Sequence, residues 1–268
     1  MTRLFRAAAA LAAFAFALVG YVYVTLPDVR ALRTENPTTT AFMQLRDREA
    51  RASGRPQRRE HHWLALGRIS ANLKRAVLVA EDDAFWQHEG VDIEQLRETF
   101  EEDLARGRPM RGASTITQQL AKNLYLSPSR DPLRKLRELV IARRLEAALS
   151  KDRIFELYLN LIEWGDGVWG ADAAARRYFG SSASSLSADQ AALMAGAIVN
   201  PRVLLVTRPN RRLVRRQAMI LSRMRTATSP GDAMTPVQPA LSSPPEPEPT
   251  SAVLAVEGAV PAETDSPD

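Results

Sequence analysis

Apolar and polar positions recur along most of this chain with the period of a helix. Ile69 to Ala80 is apolar and helix-compatible, and Leu133 to Leu149 reads as a long amphipathic helix. Asp152 to Ile162 is a further helix, ending before Gly165-Asp166-Gly167. Ala171 to Phe179 is a short one stopped by Gly180. Ser187 and Gln190 form a capping box for a helix that runs to about Val199, where Asn200-Pro201 ends it. Asn210 to Arg225 is a last helix carrying several arginines. No alternating apolar–polar run is long enough to predict a sheet, and no internal repeat is present. The pattern predicts a mainly α domain over residues 61–226, preceded by a polar linker, rich in Arg, Thr and Glu, over 28–60.

Two segments break the pattern. Ala7 to Leu26 is an apolar run without a charge, and about 20 such residues span a bilayer as a helix. Arg3 and Arg6 precede it, which predicts a cytoplasmic N-terminus and an exported remainder. A cleaved signal peptide is the rival. The run exceeds a usual signal core, and Leu18-Val19-Gly20-Tyr21-Val22-Tyr23 lacks a small-residue cleavage site, so residues 1–27 are read as a retained anchor. Tyr21 and Tyr23 would sit near the far interface. The second break is the tail, residues 227–268. It holds seven acidic residues, nine of the 17 prolines and no Lys or Arg, a composition that predicts disorder.

That tail changes the charge picture. The whole chain carries +5, so the rest carries +12, which points to polyanions: nucleic acid, anionic lipid or a phosphorylated substrate. The anchor favours the last two, and no nucleic-acid-binding signature stands out. The absence of cysteine excludes disulfides and thiolate zinc sites.

Three groups of residues suggest chemistry. In Gly112 to Asn123, a helix places Thr115, Gln118, Gln119 and Lys122 at i, i+3, i+4 and i+7, a ladder of donors, while Ile116, Leu120 and Leu124 line another face. Thr115 with Gln118 fits a capping box, so the helix starts there. Two readings stand: a solvated polar face, or a cradle for hydroxyls and a phosphate, which suits neutral donors plus one ammonium. In Glu81-Asp82-Asp83, followed by Phe85 and His88, adjacent carboxylates repel one another, which favours a proton acceptor. The rivals are a plain helix end entering a loop and a metal site on Asp82, weak on spacing alone. Acidic residues at a helix C-terminus oppose its dipole, a local cost that hints at function. Arg134, Lys135 and Glu138 share a helix face, as a surface ion pair or as a phosphate clamp beside a carboxylate. His61, His62 and His88 lack metal-ligand spacing, and Ser114 lacks a nucleophile motif.

Taken in order, these groups resemble the motifs of the peptidoglycan glycosyltransferase family, glycosyltransferase family 51. Glu81-Asp82-x-x-Phe85-x-x-His88-x-Gly90 is similar to the first motif. Gly112-x-Ser114-Thr115-Ile116-Thr117-Gln118-Gln119-x-x-Lys122-Asn123 is similar to the second. Arg134-Lys135-x-x-Glu138-x-x-x-Ala142-x-x-Leu145-Glu146 resembles the third. Lys151-x-x-Ile154-Phe155-Glu156-x-Tyr158-Leu159-Asn160 resembles the fourth, with Phe155 where Leu is usual. Gly170 to Gly180 follows as in the family, with Asp172 where Glu is common. The likeness covers about residues 62–225. Ser-x-x-Lys and Lys-Thr-Gly, the marks of a following transpeptidase domain, do not occur, so the expected type is monofunctional.

The resemblance implies a lysozyme-like α fold on the outer leaflet of the cell inner membrane. It implies a donor glycan on undecaprenyl diphosphate and lipid II as acceptor. Glu81 is then the general base on the acceptor 4-hydroxyl, which attacks the MurNAc anomeric carbon with inversion, forming a β-1,4 link. Lys122, Arg134 and Lys135 meet the diphosphate, and Glu138 orients these cations or a divalent ion. Asp82, Phe85, His88, Ser114, Thr115, Gln118, Gln119 and Asn123 complete the substrate site. No cofactor is obligatory, while magnesium or manganese at the diphosphate stays open. Partners are the membrane and the lipid-linked glycan rather than nucleic acid, and cell-wall synthesis or division proteins are the protein class to consider. The alternatives are a lytic, lysozyme-like glycan-cleaving enzyme, which needs no cationic clamp, and a tethered glycan-binding scaffold.

Overall fold

The computed structural model describes residues 2–107, 114–128 and 131–226. The tail expected to be disordered, and Gly112 of the second motif, lie outside the described residues. Among the described residues the chain is mainly helical, with ten α-helices and one small sheet.

The helices form where capping and periodicity place them. Ser70 accepts a hydrogen bond from the Leu73 N–H and starts α3, Ala71–Glu81. Thr115 caps α5, Ile116–Tyr125, and Asp131 caps α6, Pro132–Ala148, which has proline in its first turn. Ser150 caps α7, Lys151–Leu161. Helix α8, Ala171–Phe179, ends at Gly180 with φ +67°. The Ser187/Gln190 capping box is formed at α9, Ala188–Ala197, and α10 covers Arg211–Thr226.

Three elements depart from the pattern. A three-stranded sheet is present, in the order β1-β3-β2. Strand β1, Glu60–His61, pairs parallel with β3, Val168–Trp169, and β2, Glu163–Gly165, pairs antiparallel with β3. Strands of two or three residues are too short to show alternation. Segment 28–60 is more than a linker: it holds α2, Ala41–Ala52, with Met43 fully buried and Arg46 paired to the buried Glu163 at 2.8 Å. Helix α4, Ile93–Ala105, has Asp92 as its cap, and its Ile93, Leu96, Phe100 and Leu104 are exposed along one stripe.

The N-terminal segment is helical, α1 covering Thr2–Val24, and Phe14, Phe16 and Tyr21 are exposed on it. Among the described residues no helix is long and apolar enough to cross a membrane. The side chains of Ala15, Val19, Val22 and Tyr23, in the same run, lie outside that description.

Helix α3 packs on α9 and α10, while α5 packs on α6, α7 and α2. Beneath them, Phe85 meets Trp86 and Phe155 at ring-centroid distances of 5.0 and 5.6 Å. Fully burying each such side chain contributes about 1.5–3 kcal/mol. Asn160, fully buried on α7, donates to the Leu64 and Glu156 carbonyls and accepts from the Leu64 N–H. Its own carbonyl oxygen lies 2.7 Å from where a Cβ on Gly170 would stand, and Gly170 has φ +81°, so only glycine fits that start of α8. The candidate site opens where the α3 group meets the α5 group.

Candidate active site

Glu81 is the last residue of α3, with a side chain only 11% exposed. Its Oε2 accepts one hydrogen bond, from the Gln119 Nε2, at 2.9 Å. The nearest Arg216 nitrogen is 3.8 Å from Oε1. Burial pushes the Glu81 pKa up, against the opposing pull of Gln119, Arg216 and Lys122. A carboxylate ionised in such a place is a stronger base than one in water.

Asp82, next in the chain, is spent on structure. Its Oδ1 accepts from His88 Nε2 at 2.9 Å, and its Oδ2 accepts from the Ile116 N–H at 2.9 Å. That N–H opens α5, so the charge that opposes the α3 dipole serves the α5 dipole. The Gly90 N–H donates to His88 Nδ1, which leaves the His88 proton on Nε2, facing Asp82. Asp82, His88 and Asp92 bring ligand-type atoms within 4.8 Å of one another. Yet both Asp82 oxygens are taken, His88 Nδ1 is taken, and Asp92 Oδ1 accepts from the Gln95 N–H. These residues do not fit a hard cation, which needs several open oxygens.

The ladder on α5 divides. Thr115 and Gln118 are buried and both donate to the Gly90 carbonyl, at 2.7 and 3.2 Å. Thr115 also accepts from the Gln118 N–H, but the Gln118 side chain turns to Gly90, so only half of the capping box forms. Asn123 donates back to the Gln119 carbonyl within the helix. Phe85 is fully buried, with the Lys151 ammonium 4.4 Å from its ring centroid. Asp82, Phe85, His88, Thr115, Gln118 and Asn123, expected to touch substrate, therefore form the wall behind the site.

Ser114, Gln119 and Lys122 do line the cleft with Glu81, in a cavity of about 510 Å³ that also includes Gln95 and Thr99 of α4, Val199 and Arg216. Among the described residues the Lys122 ammonium has no hydrogen-bond acceptor; its aromatic neighbour Phe42 lies 5.9 Å away, centroid to nitrogen. Burial pulls the Lys122 pKa down, and Glu138 and Glu81 oppose this.

The third cluster is self-contained. Glu138 is 3% exposed, and its two oxygens pair with Arg134 and Lys135. Lys135 also donates to Gln118 Oε1 at 2.9 Å and Ser114 Oγ at 3.3 Å. An ammonium has three N–H groups, so Lys135 is fully occupied and ties α6 to the start of α5. With both oxygens held by cations, Glu138 does not fit a divalent ion either.

Two residues of this site escape the sequence reading. Arg216 is one of six arginines on α10, and only its packing against α9, through the Gly196 carbonyl at 3.0 Å, aims it at Glu81. Tyr158 is fully buried, and its hydroxyl meets Gln119 Oε1 at 2.9 Å. It stands in the fourth motif, where its neighbours alone gave no reason to select it.

A family model described as Transglycosylase matches residues 48–225, reaching back into α2. The chain belongs to the transglycosylase family. Relatives agree. The protein named biosynthetic peptidoglycan transglycosylase of Laribacter hongkongensis is 47% identical over 195 residues, covering 73% of this chain and 86% of the relative. The proteins of the same name from Methylobacillus flagellatus and an Azoarcus species are each 48% identical, covering 73% and 72% of this chain and 85% and 84% of the relatives. In this transglycosylase the matched region brings together a largely buried carboxylate, Glu81, a cleft-facing lysine, Lys122, and the paired cluster of Arg134, Lys135 and Glu138.

Proposed function

We propose that this transglycosylase polymerises lipid II into β-1,4 glycan strands. Glu81 takes the proton from the acceptor 4-hydroxyl, whose oxygen attacks the donor MurNAc anomeric carbon with inversion. The C–O bond to undecaprenyl diphosphate breaks, and the leaving diphosphate keeps the electron pair. The observation that carries this reading is one cleft holding both a largely buried carboxylate and a partly buried ammonium without a hydrogen-bond acceptor among the described residues. An ammonium so placed gains most when charge develops on the leaving group, so it lowers the barrier rather than only binding substrate. Ser114 supplies a neutral hydroxyl, Gln119 holds Glu81, and the Arg134/Lys135/Glu138 cluster adds field and rigidity rather than ligands. A glycan-cleaving enzyme has no need of that ammonium.

The reading extends to a single-pass protein of the cell inner membrane, with α1 as anchor, a cytoplasmic N-terminus and a periplasmic domain. The uncharged run from Ala7 to Leu26 after Arg3 and Arg6 supports this. The exposed stripe of Ile93, Leu96, Phe100 and Leu104 on α4 supports contact with the bilayer beside the cleft. Anchorage confines the enzyme and its lipid-linked substrate to one surface.

The test is the purified full chain with lipid II, followed for polymer. Glu81→Gln is expected to lose polymerisation at least about 1,000-fold while still binding lipid II. Polymer made at the wild-type rate by that variant would overturn Glu81 as base. Cleavage of preformed glycan without polymer would overturn the synthetic reading.

A further inference from the structure

The hydrogen bonds behind Glu81 form a chain whose direction is fixed. The Gln119 amide has two oxygens on one side, Glu81 Oε2 at 2.9 Å and the Ser114 carbonyl at 3.2 Å, and the Tyr158 hydroxyl on the other at 2.9 Å. Amide nitrogen and oxygen are told apart by such surroundings. Only one orientation satisfies all three partners: Nε2 donates to the two oxygens, and Oε1 accepts from the phenol. The flipped amide would press its oxygen against two acceptors. Tyr158 is fully buried, cannot reach the cleft, and makes this hydrogen bond with a hydroxyl that would otherwise be desolvated at a cost.

We propose that Tyr158 is a positioning residue that acts through Gln119, holding the amide so that its N–H, not its carbonyl, faces Glu81. This rests on the reading of Glu81 as the general base. The N–H stabilises the ionised form of Glu81 against its burial, so the tyrosine on α7 tunes a base on α3 without touching it. Without the phenol the amide oxygen loses that donor, the amide is held less firmly, and its weakened N–H donation to Glu81 favours the protonated carboxyl. The base is then lost at low pH and recovered at high pH. A residue that merely fills space would lower activity equally at every pH.

The experiment is the pH profile of lipid II polymerisation by the full chain. Tyr158→Phe keeps the ring and removes only the hydroxyl. Its acid limb is expected to move up by about half to one pH unit, with KM unchanged, because a neutral hydrogen bond is worth that much. On the acid side of the limb this is a loss of about three- to ten-fold; on the plateau activity is near wild type. Gln119→Leu is expected to move the limb at least as far. Adding Tyr158→Phe to Gln119→Leu should then move it no further, since the two act in series. An unmoved limb in Tyr158→Phe, a uniform loss at all pH, or an equal further shift in the double variant would overturn the proposal. Full activity in Glu81→Gln would instead overturn the base assignment itself, which separates the two failures.

Discussion

Glu81 and Glu138 are both carboxylates largely removed from solvent, 11% and 3% exposed, yet their surroundings differ. Glu138 has a cation on each oxygen. Glu81 has one amide N–H at 2.9 Å and an arginine no closer than 3.8 Å. Burial therefore has opposite uses in the two places. Around Glu138 it surrounds a carboxylate held by two cations, and through Lys135 the product is a rigid joint between α5 and α6. Around Glu81 the charge is under-compensated, and the product is a group ready to take a proton. The same contrast divides the cations: Lys135 has its three donors committed, whereas Lys122 has none committed among the described residues.

The contrast yields variants with different signatures. Lys122→Met should cost about 100- to 1,000-fold in polymerisation, the scale of one lost group that stabilises developing charge, with no loss of thermal stability. A variant that instead unfolds would move Lys122 to the structural side. Glu138→Gln should act mainly on stability, lowering it by about 3 kcal/mol in denaturant titration. That is the low end for a broken buried pair, because the Lys135 side chain is 42% exposed. Glu81→Gln should change stability in the opposite direction. A carboxyl whose folded pKa is raised binds its proton better when folded, so stability falls as pH rises from the unfolded value through the folded one. Above that window Glu81→Gln removes the deficit, so its melting temperature at pH 8 should exceed that of the wild type; below pH 4 the two should converge. Melting curves at both pH values check this. The smallest effect is expected from Arg216→Met, which removes the 3.8 Å cation and should shift the acid limb of polymerisation upward by a fraction of a pH unit.

How much of this is legible in the sequence depends on the range of each interaction. Helix α8 and the capping box at α9 rest on neighbours three to nine residues apart, and Gly180 and Ser187/Gln190 announce them. The Thr115–Lys122 ladder is correct as helix geometry. Which of its members face ligand is decided by the Gly90 carbonyl, which draws Thr115 and Gln118 inward from 25 and 28 residues away. Phe85 is conspicuous beside Glu81 but lies under the site, where the ring of Phe155 and the ammonium of Lys151 enclose it. The stripe on α4 repeats at Ile93, Leu96, Phe100 and Leu104 and was open to a periodicity count, though glutamates between those positions dilute it. Arg216 has no local mark at all. The separation in sequence between Glu81 and the second motif suggests a base and a binding element working apart; the bond from Gln119 to Glu81 joins them.

The most direct measurement is a carbon-13 NMR titration of the glutamate carboxyls in the full chain, with Glu81→Gln identifying the Glu81 signal. Glu81 is expected to titrate above 4.5, the ordinary value for its type. A Glu81 signal that titrates at or below 4.5 would contradict a base raised by burial.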